Sequence, residues 1–204
     1  SGVLMDTVAD FCAKNCLSGM EMFSGLPGTC GGGVYMNARC YEKNISDVLC
    51  QVTYLDLLDC KVKVYEMQSS DWEYKKSPFQ TNKWIVLEVV YKVEKLSDNS
   101  KIVEKNNFYV EDRRQKGHFK FPSAGSVFKN NRSFGKPSGK LIDEAGLKGF
   151  TIGGAQIAPW HGNFIINCGN AKSDDILALV NKAKETVKEK FGFELECEIL
   201  FAGD

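Results

Sequence analysis

The sequence lacks the features that mark several common classes of protein. Among its 204 residues, Lys and Arg together number 26 and Asp and Glu also number 26, so the net charge is zero. Nucleic-acid-binding proteins usually carry a basic excess or stripe, and we therefore expect no nucleic-acid partner. The apolar runs, such as residues 84–87, are far shorter than the stretch of about 20 residues that spans a membrane. No basic segment is followed by an apolar one, so we expect neither a secretory signal nor a membrane partner.

Metal-binding patterns are missing as well. The chain has eight cysteines, none in C-x-x-C spacing, and only two histidines. Zinc sites need closely spaced Cys and His ligands, so we expect no metal. Reduced, mostly buried thiols in a cytoplasmic protein are the simplest interpretation of the cysteines.

What is present is an ordinary globular composition in which helices and strands interleave, which predicts a mixed α/β or α+β fold. Strands are predicted at 49–55, 62–67, 84–93, 163–167 and 193–201, and the third is apolar enough to be buried on both faces. Helices are predicted near 3–12, at 138–145 and at 174–190. The polar run 95–107 is interpreted as a linker, which gives two domains, 1–104 and 105–204.

A Gly-rich stretch covers residues 24–33. Its backbone N–H groups would suit a phosphate or a flavin, but it matches neither a P-loop nor a dinucleotide fingerprint. From spacing alone, a plain loop is the better interpretation.

Two other positions are open to both a functional and a structural interpretation. Ser126, in a Pro/Gly/Ser-rich segment, is either a turn residue or a proton donor with Lys129 and Asn130 beside it. Glu198 lies in the last predicted strand, where alternation places it on an acidic edge in solvent or aims it into a cleft.

The basic clusters are equally ambiguous. Lys75 and Lys76 either bind an anion or are solvated, as surface lysines usually are. The cluster at 113–118 either holds a diphosphate or is an exposed helix end.

Four motifs stand out in order along the chain. "GMEMF" at 19–23 is followed by "GLPGTCGGGVYMNA" at 25–38, "ISDVL" at 45–49 and "PSAGSVFKN" at 122–130. Taken together, these segments resemble the UDP-N-acetylenolpyruvoylglucosamine reductases, and the last of them resembles the catalytic serine loop of that family. The remaining matching segments follow in the family's order: 139–149, 152–156, 161–167 and 169–171. The match covers essentially the whole chain.

The resemblance implies a reaction in which NADPH reduces FAD and hydride then reaches the enolpyruvyl double bond of a UDP-sugar. The resulting enolate needs a proton and charge stabilisation. By position, Ser126 matches the proton donor, Glu198 the acid that stabilises the enol, and Lys75 the usual arginine. The cofactor-binding positions are Pro27, Gly28, Thr29, Gly31 and Asn37. The substrate-binding positions are Tyr74, Lys116, Lys129, Asn130 and His161.

The sequence departs from the family in four places. Lys75 lacks the planar fork of an arginine, and the sequence leaves open whether Lys75 or Lys76 is its counterpart. Leu200 stands where the family usually has an arginine. The segment from 75 to 126 is short, as in the shorter subclass. The first flavin lobe, expected before Ser1, is absent, so we expect residues 1–104 to form the second lobe of the flavin domain.

The sequence therefore leaves three hypotheses about function. The first is a cytoplasmic, monomeric FAD- and NADPH-dependent reductase that makes UDP-N-acetylmuramate for peptidoglycan, with residues 105–204 as the substrate domain. The second is an inactive fragment that binds the UDP-sugar without flavin. A third, another flavin oxidase, explains the serine loop and Glu198 less well.

Overall fold

The computed structural model describes residues 1–202 and has an α+β fold, as the sequence predicts. The chain divides into two compact units, Ser1–Asp112 and Arg113–Asp204. Within residues 1–202, no helix is both long enough and apolar enough to span a bilayer.

The first unit is built around a three-stranded antiparallel sheet. Its helices are α1 (Met5–Lys14), α2 (Cys30–Tyr35), α3 (Pro78–Thr81) and α4 (Ser100–Gln115), the last of which ends just beyond the division between the units. Its strands are β1 (Leu17–Ser18), β2 (Arg39–Cys40), β3 (Lys43–Asn44), β4 (Leu49–Asp56), β5 (Lys61–Glu66), β6 (Trp84–Tyr91) and β7 (Glu94–Lys95). The order in the main sheet is β5-β4-β6, and β1 pairs with β7 and β2 with β3.

The main sheet buries one face only, which corrects the prediction for residues 84–93. Val52 and Tyr54 of β4 point into a core that they share with Phe79 of α3. On the opposite face, Ile85 and Val62 are 48% and 62% exposed. The apolar run in β6 therefore reflects β-propensity on both faces and not burial on both faces.

The predicted linker at 95–107 is also corrected, because α4 begins inside it at Ser100. This helix is mostly polar and has only a weak apolar stripe, so periodicity gave no sign of it. Its packing is nevertheless specific, since Ile102 is buried and Asn106 Nδ2 donates to the Ala9 carbonyl at 3.4 Å.

The second unit places two helices against a four-stranded antiparallel sheet. Its strands are β8 (Ser123–Ser126), β9 (Thr151–Ile152), β10 (Ala155–Ile157) and β11 (Phe164–Asn167), in the order β8-β11-β10-β9. Its helices are α5 (Ser138–Glu144) and α6 (Ser173–Phe191). The core joins Ile157 and Ile165 of the sheet to Leu141 of α5 and to Val180 and Val187 of α6.

Helix α6 closely matches its prediction, whereas the strand predicted at 193–201 does not form. Gly192, at φ +74°, ends the helix in the left-handed conformation that glycine adopts most easily. Within residues 193–202 the chain forms no continuous strand; it makes an isolated bridge between Cys197 and Phe128, and the Glu198 N–H donates to the Val127 carbonyl. The alternation at 194–199 correctly indicated that the segment is half-buried. A strand also requires a continuous ladder of hydrogen bonds to a neighbouring strand, which this segment does not form.

Candidate functional site

An open cavity of about 310 Å³ lies in the second unit. Three of the residues predicted to be functional line it: Ser126, Asn130 and His161. They come from the end of β8, the loop after it and the turn before β11, so the antiparallel pairing of β8 with β11 gathers them.

The amide of Asn163 holds the serine loop in place. Its Oδ1 accepts from Phe128 N and its Nδ2 donates to Phe128 O, both at 2.8 Å. The Asn163 carbonyl also accepts from Val127 N at 2.9 Å. Asn163 is only 4% exposed, so these bonds are made away from water. Within residues 1–202 no side chain hydrogen-bonds to Ser126 Oγ, which leaves that hydroxyl available to a ligand.

His161 is held neutral and in one orientation. Burial lowers its pKa, and the positive charges of Lys148 and Lys116 act in the same direction. The N–H of Asn163 donates to His161 Nδ1 at 3.2 Å, so the neutral ring carries its proton on Nε2. The turn is tight at Gly162, where an added Cβ would lie 2.3 Å from the Gly139 carbonyl oxygen. Only glycine allows α5 to pack this closely against the His161 turn.

The cavity wall carries positive charge that the sequence did not single out. Lys140 and Lys148 line the cavity with Asp143 between them, at Nζ–Oδ2 distances of 3.7 and 3.0 Å. Hydrogen bonding to Lys148 is the main cause that lowers the pKa of Asp143, so this carboxyl is ionised at neutral pH. Two ammonium groups against one lining carboxylate make a wall suited to an anion, although Glu144 lies 4.0 Å from Lys140.

Three other predicted residues lie outside this lining. Glu198 is half-buried, and its N–H donates to the carbonyl of Val127, next to Ser126, at 2.7 Å. Lys129 Nζ forms an ion pair with Glu196 at 2.5 Å. Lys116 is close enough to lower the pKa of His161.

The Gly-rich stretch of the first unit forms a loop that leads into α2. Thr29 caps this helix, its Oγ1 accepting from Gly32 N at 3.2 Å. Pro27 and Gly28 are exposed, and a Cβ at Gly28 would meet no atom within 4 Å. Gly28 has φ +121°, a conformation that glycine adopts at little cost. The N–H of Gly31 donates to the Ser1 carbonyl at 2.9 Å.

The structure distinguishes the two lysines that follow Tyr74. Lys76 is 61% exposed at its side chain and pairs with Glu73 at 2.7 Å. Lys75 is only 9% exposed and has φ +59°. A buried lysine in a left-handed conformation is unusual on both counts. Tyr74 is 41% exposed, and its ring centre lies 6.0 Å from Lys75 Nζ.

Asn37, predicted to bind cofactor, uses both atoms of its amide within the protein. Its Nδ2 donates to the Glu73 carbonyl at 2.8 Å, and its Oδ1 accepts from Ser46 N at 3.2 Å. It thereby ties the segment after α2 to the turn that carries Lys75.

Comparison with known proteins identifies the family. Residues 117–202 match the model of the UDP-N-acetylenolpyruvoylglucosamine reductase C-terminal domain. Over the whole chain, the sequence is 51% identical to the reductase of that name from Treponema denticola and 37% identical to that of Treponema pallidum. The chain spans 66% of the first relative and 69% of the second.

The chain belongs to the UDP-N-acetylenolpyruvoylglucosamine reductase family. The crystal structure of a reductase of that name from Thermus caldophilus matches 96% of this chain and 68% of its own with a TM-score of 0.81, at 35% identity. The resemblance predicted from the motifs is thus confirmed, and family membership extends over both units of the chain.

Sequence reasoning missed several residues of this site: Lys140, Asp143, Lys148, Trp160 and Asn163. The two lysines and Asp143 lie on or just after α5, where charged residues are normally solvated. Asn163 opens an apolar run and was taken as the start of a strand. The His-Gly-Asn sequence at 161–163 was the only available signal, since a glycine between two polar residues is typical of a tight turn.

Proposed function

We propose that this protein carries out the FAD-mediated, NADPH-dependent reduction of UDP-N-acetylglucosamine enolpyruvate to UDP-N-acetylmuramate, a step in the synthesis of peptidoglycan precursors in the cytoplasm. The chain spans 66% of the length of its Treponema denticola relative. The observation that carries the proposal is the cavity that combines an available serine hydroxyl, a neutral histidine and two lysines.

The proton for the reduced enolpyruvyl group comes from Ser126. Hydride addition to one carbon of the double bond leaves negative charge on the other carbon and on the adjoining carboxylate, and a hydroxyl held at that carbon supplies the proton. Asn163 fixes the serine loop through the two bonds to Phe128, so the hydroxyl needs little reorganisation. Glu198, whose N–H bonds the carbonyl of Val127, is the neighbouring acid that stabilises the enol.

The substrate's diphosphate binds the charged wall of the cavity. Lys140 and Lys148 supply the positive charge, and Asn130 and the Nε2–H of His161 supply directed polar contacts. A neutral histidine is suited to donating a hydrogen bond without titrating near pH 7. Lys116, Lys129 and Tyr74 remain predicted substrate contacts. Lys129 forms an ion pair with Glu196 at 2.5 Å.

The exposed loop of Pro27, Gly28 and Thr29 fits a flavin-binding role. Its backbone is open at Gly28, where a side chain would occupy space beside the loop. When bound, FAD supplies hydride-transfer chemistry, and NADPH is its reductant. Gly31 and Asn37 are the weaker candidates here, because the Gly31 N–H and the Asn37 amide are already engaged. Lys75 provides positive charge to stabilise the enolate.

The direct test is NADPH oxidation by the flavin-loaded protein, with and without the enolpyruvyl UDP-sugar, and mass spectrometry of the product. We expect oxidation that depends on the sugar and a product heavier by two hydrogens. NADPH oxidation that the sugar does not accelerate would contradict the proposal and would favour another flavin oxidase.

A second function, UDP-sugar binding without flavin, is favoured by one observation: all the residues that line the cavity belong to the second unit. The visible absorption of the chain after incubation with FAD and removal of free cofactor separates the two functions. A retained flavin band supports the reductase. A colourless chain that still binds the UDP-sugar supports the binding module.

A further inference from the structure

The turn that carries Lys75 is fixed by side chains whose role the reaction does not explain. The turn is closed by the Lys76 N–H, which donates to the Glu73 carbonyl at 3.0 Å. Lys75 occupies its left-handed position, which Gly or Asn would normally fill. A lysine is strained in this conformation, which persists only where the surroundings enforce it.

Gln80 is one of the groups that enforce it. Its Nε2 donates to the carbonyl of Lys75 at 3.1 Å and to the carbonyl of Tyr35 at 2.8 Å. Tyr35 is the last residue of α2, the helix that follows the Gly-rich loop. A single amide group therefore joins the lysine turn to the end of that helix.

Two further bonds brace the same turn. Ser77 Oγ also donates to the Tyr35 carbonyl, at 2.7 Å. Asn37 Nδ2 holds the Glu73 carbonyl at the other end of the turn. Both Ser77 and Asn37 are buried, at 4% and 2% exposed, so water competes weakly for these bonds. The turn is thus fixed at both ends and at Lys75 itself.

We propose that Gln80 is a positioning residue that holds the backbone of the buried Lys75, and with it the ammonium, in its working position, with Ser77 and Asn37 supporting the same turn. This inference rests on the reaction proposed above, in which Lys75 stabilises the enolate. A lysine has a flexible stem and no planar fork, so fixing its backbone limits the positions that its ammonium reaches.

The test is a double-mutant cycle on the rate at which the enolpyruvyl sugar reoxidises the NADPH-reduced flavin. Gln80→Met keeps the length of the side chain and removes both donated bonds, and we expect it to slow reoxidation about tenfold because the ammonium is misplaced. Flavin reduction by NADPH should be unchanged. In a Lys75→Met background, Gln80→Met should change the rate by no more than about twofold, because the group on which it acts is gone.

The matched control is Gln51→Met, which removes an amide bonded to Glu66 on the main sheet. We expect it to leave both half-reactions unchanged. A loss from Gln80→Met that is equally large with and without Lys75 would overturn the proposal, because it would indicate a purely structural role.

A second readout does not depend on the reaction. Acylation of lysines by acetic anhydride, followed by peptide mass spectrometry, should modify Lys75 much more slowly than the exposed Lys76. In Gln80→Met the acylation rate of Lys75 should rise toward that of Lys76. An unchanged acylation rate would overturn the proposal that Gln80 positions Lys75. If the sugar does not reoxidise the flavin of the unsubstituted protein, the proposed reaction fails. The acylation rates still test whether Gln80 positions Lys75.

Discussion

The two units hold their candidate reactive side chains by different means. Ser126 ends a strand, so the pairing of β8 with β11 positions most of its backbone and one buried amide, Asn163, completes the bracing. Lys75 lies in a turn outside the main sheet and depends on separate bonds from Asn37, Ser77 and Gln80. At the end of a strand, the hydrogen bonds of the sheet already fix the position of the backbone. A turn outside the sheet needs separate hydrogen bonds from side chains to fix it.

The largest effect is expected at Ser126. Ser126→Ala in the flavin-loaded protein should slow reoxidation by the enolpyruvyl sugar by about 10²-fold or more, because the proton donor is lost. Reduction by NADPH should be nearly unchanged in the same stopped-flow experiment. The control is Ser123→Ala at the other, exposed end of β8. An equal loss in both half-reactions would indicate that Ser126 is structural.

The next largest effect is expected at Lys75, in the turn of the first unit. Lys75→Met should slow reoxidation by about 10²-fold, as removal of one charge-stabilising group commonly does. Lys76→Met removes a surface ion pair with Glu73, which contributes little at so exposed a site, and should leave reoxidation unchanged. If Lys76→Met slows reoxidation more than Lys75→Met does, Lys76 and not Lys75 is the lysine that stabilises the enolate.

Glu198→Gln is expected to impair reoxidation less than Ser126→Ala does. The amide keeps the size of the side chain but removes the carboxyl group to which the family resemblance assigns stabilisation of the enol. Glu194→Gln, which loses a surface ion pair with Lys188 at 2.7 Å, serves as the control. If the two variants behave alike, Glu198 has no special part in the second half-reaction.

The hydrogen bonds from Asn163 to the serine loop should contribute to the free energy of unfolding. Asn163→Leu leaves both Phe128 N and Phe128 O without partners, which should lower the free energy of unfolding by about 2–4 kcal/mol in urea titrations. Asn167→Leu, which loses bonds to Gly169 N and Ala171 N nearer the surface, should cost less. A smaller loss at 163 than at 167 would show that the serine loop is held by the sheet alone.

The smallest effect concerns pH. The lowered pKa of His161 means that the unfolded chain binds a proton more readily than the folded one between that lowered value and the ordinary value of 6.5. The stability due to neutral His161 is therefore complete above about pH 6.5 and is lost as the pH falls through the folded-state pKa. In His161→Gln, unfolding stability should depend less on pH in this range. An NMR titration that gives His161 a pKa at or above 6.5 would contradict this account.

Much of the fold could be predicted from local pattern. The helix at Ser173–Phe191 and the strands at Leu49–Asp56 and Lys61–Glu66 lie close to their predicted bounds, because apolar spacing and Gly192 mark them. Helix α4 could not be predicted in this way, because its polar sequence carries little periodicity. The strand predicted at 193–201 failed because alternation reports burial but not a pairing partner.

The candidate site was predicted unevenly for a related reason. The family motifs pointed to Ser126, Asn130 and His161, and the fold brings these three to one cavity. The roles assigned to them stay predictions. The bonds from Asn163 and Gln80 to distant backbone atoms depend on tertiary structure, as does the left-handed conformation of Lys75. No pattern of residue types along the chain encodes such contacts.

We propose that this protein reduces an enolpyruvyl UDP-sugar by way of a bound flavin. The most direct measurement reduces the flavin-loaded protein anaerobically with NADPH and then mixes it with the sugar in a single turnover. The account predicts that the visible flavin band returns and that one UDP-N-acetylmuramate forms per flavin. A flavin that stays reduced, or that is reoxidised only when oxygen is admitted, would contradict it.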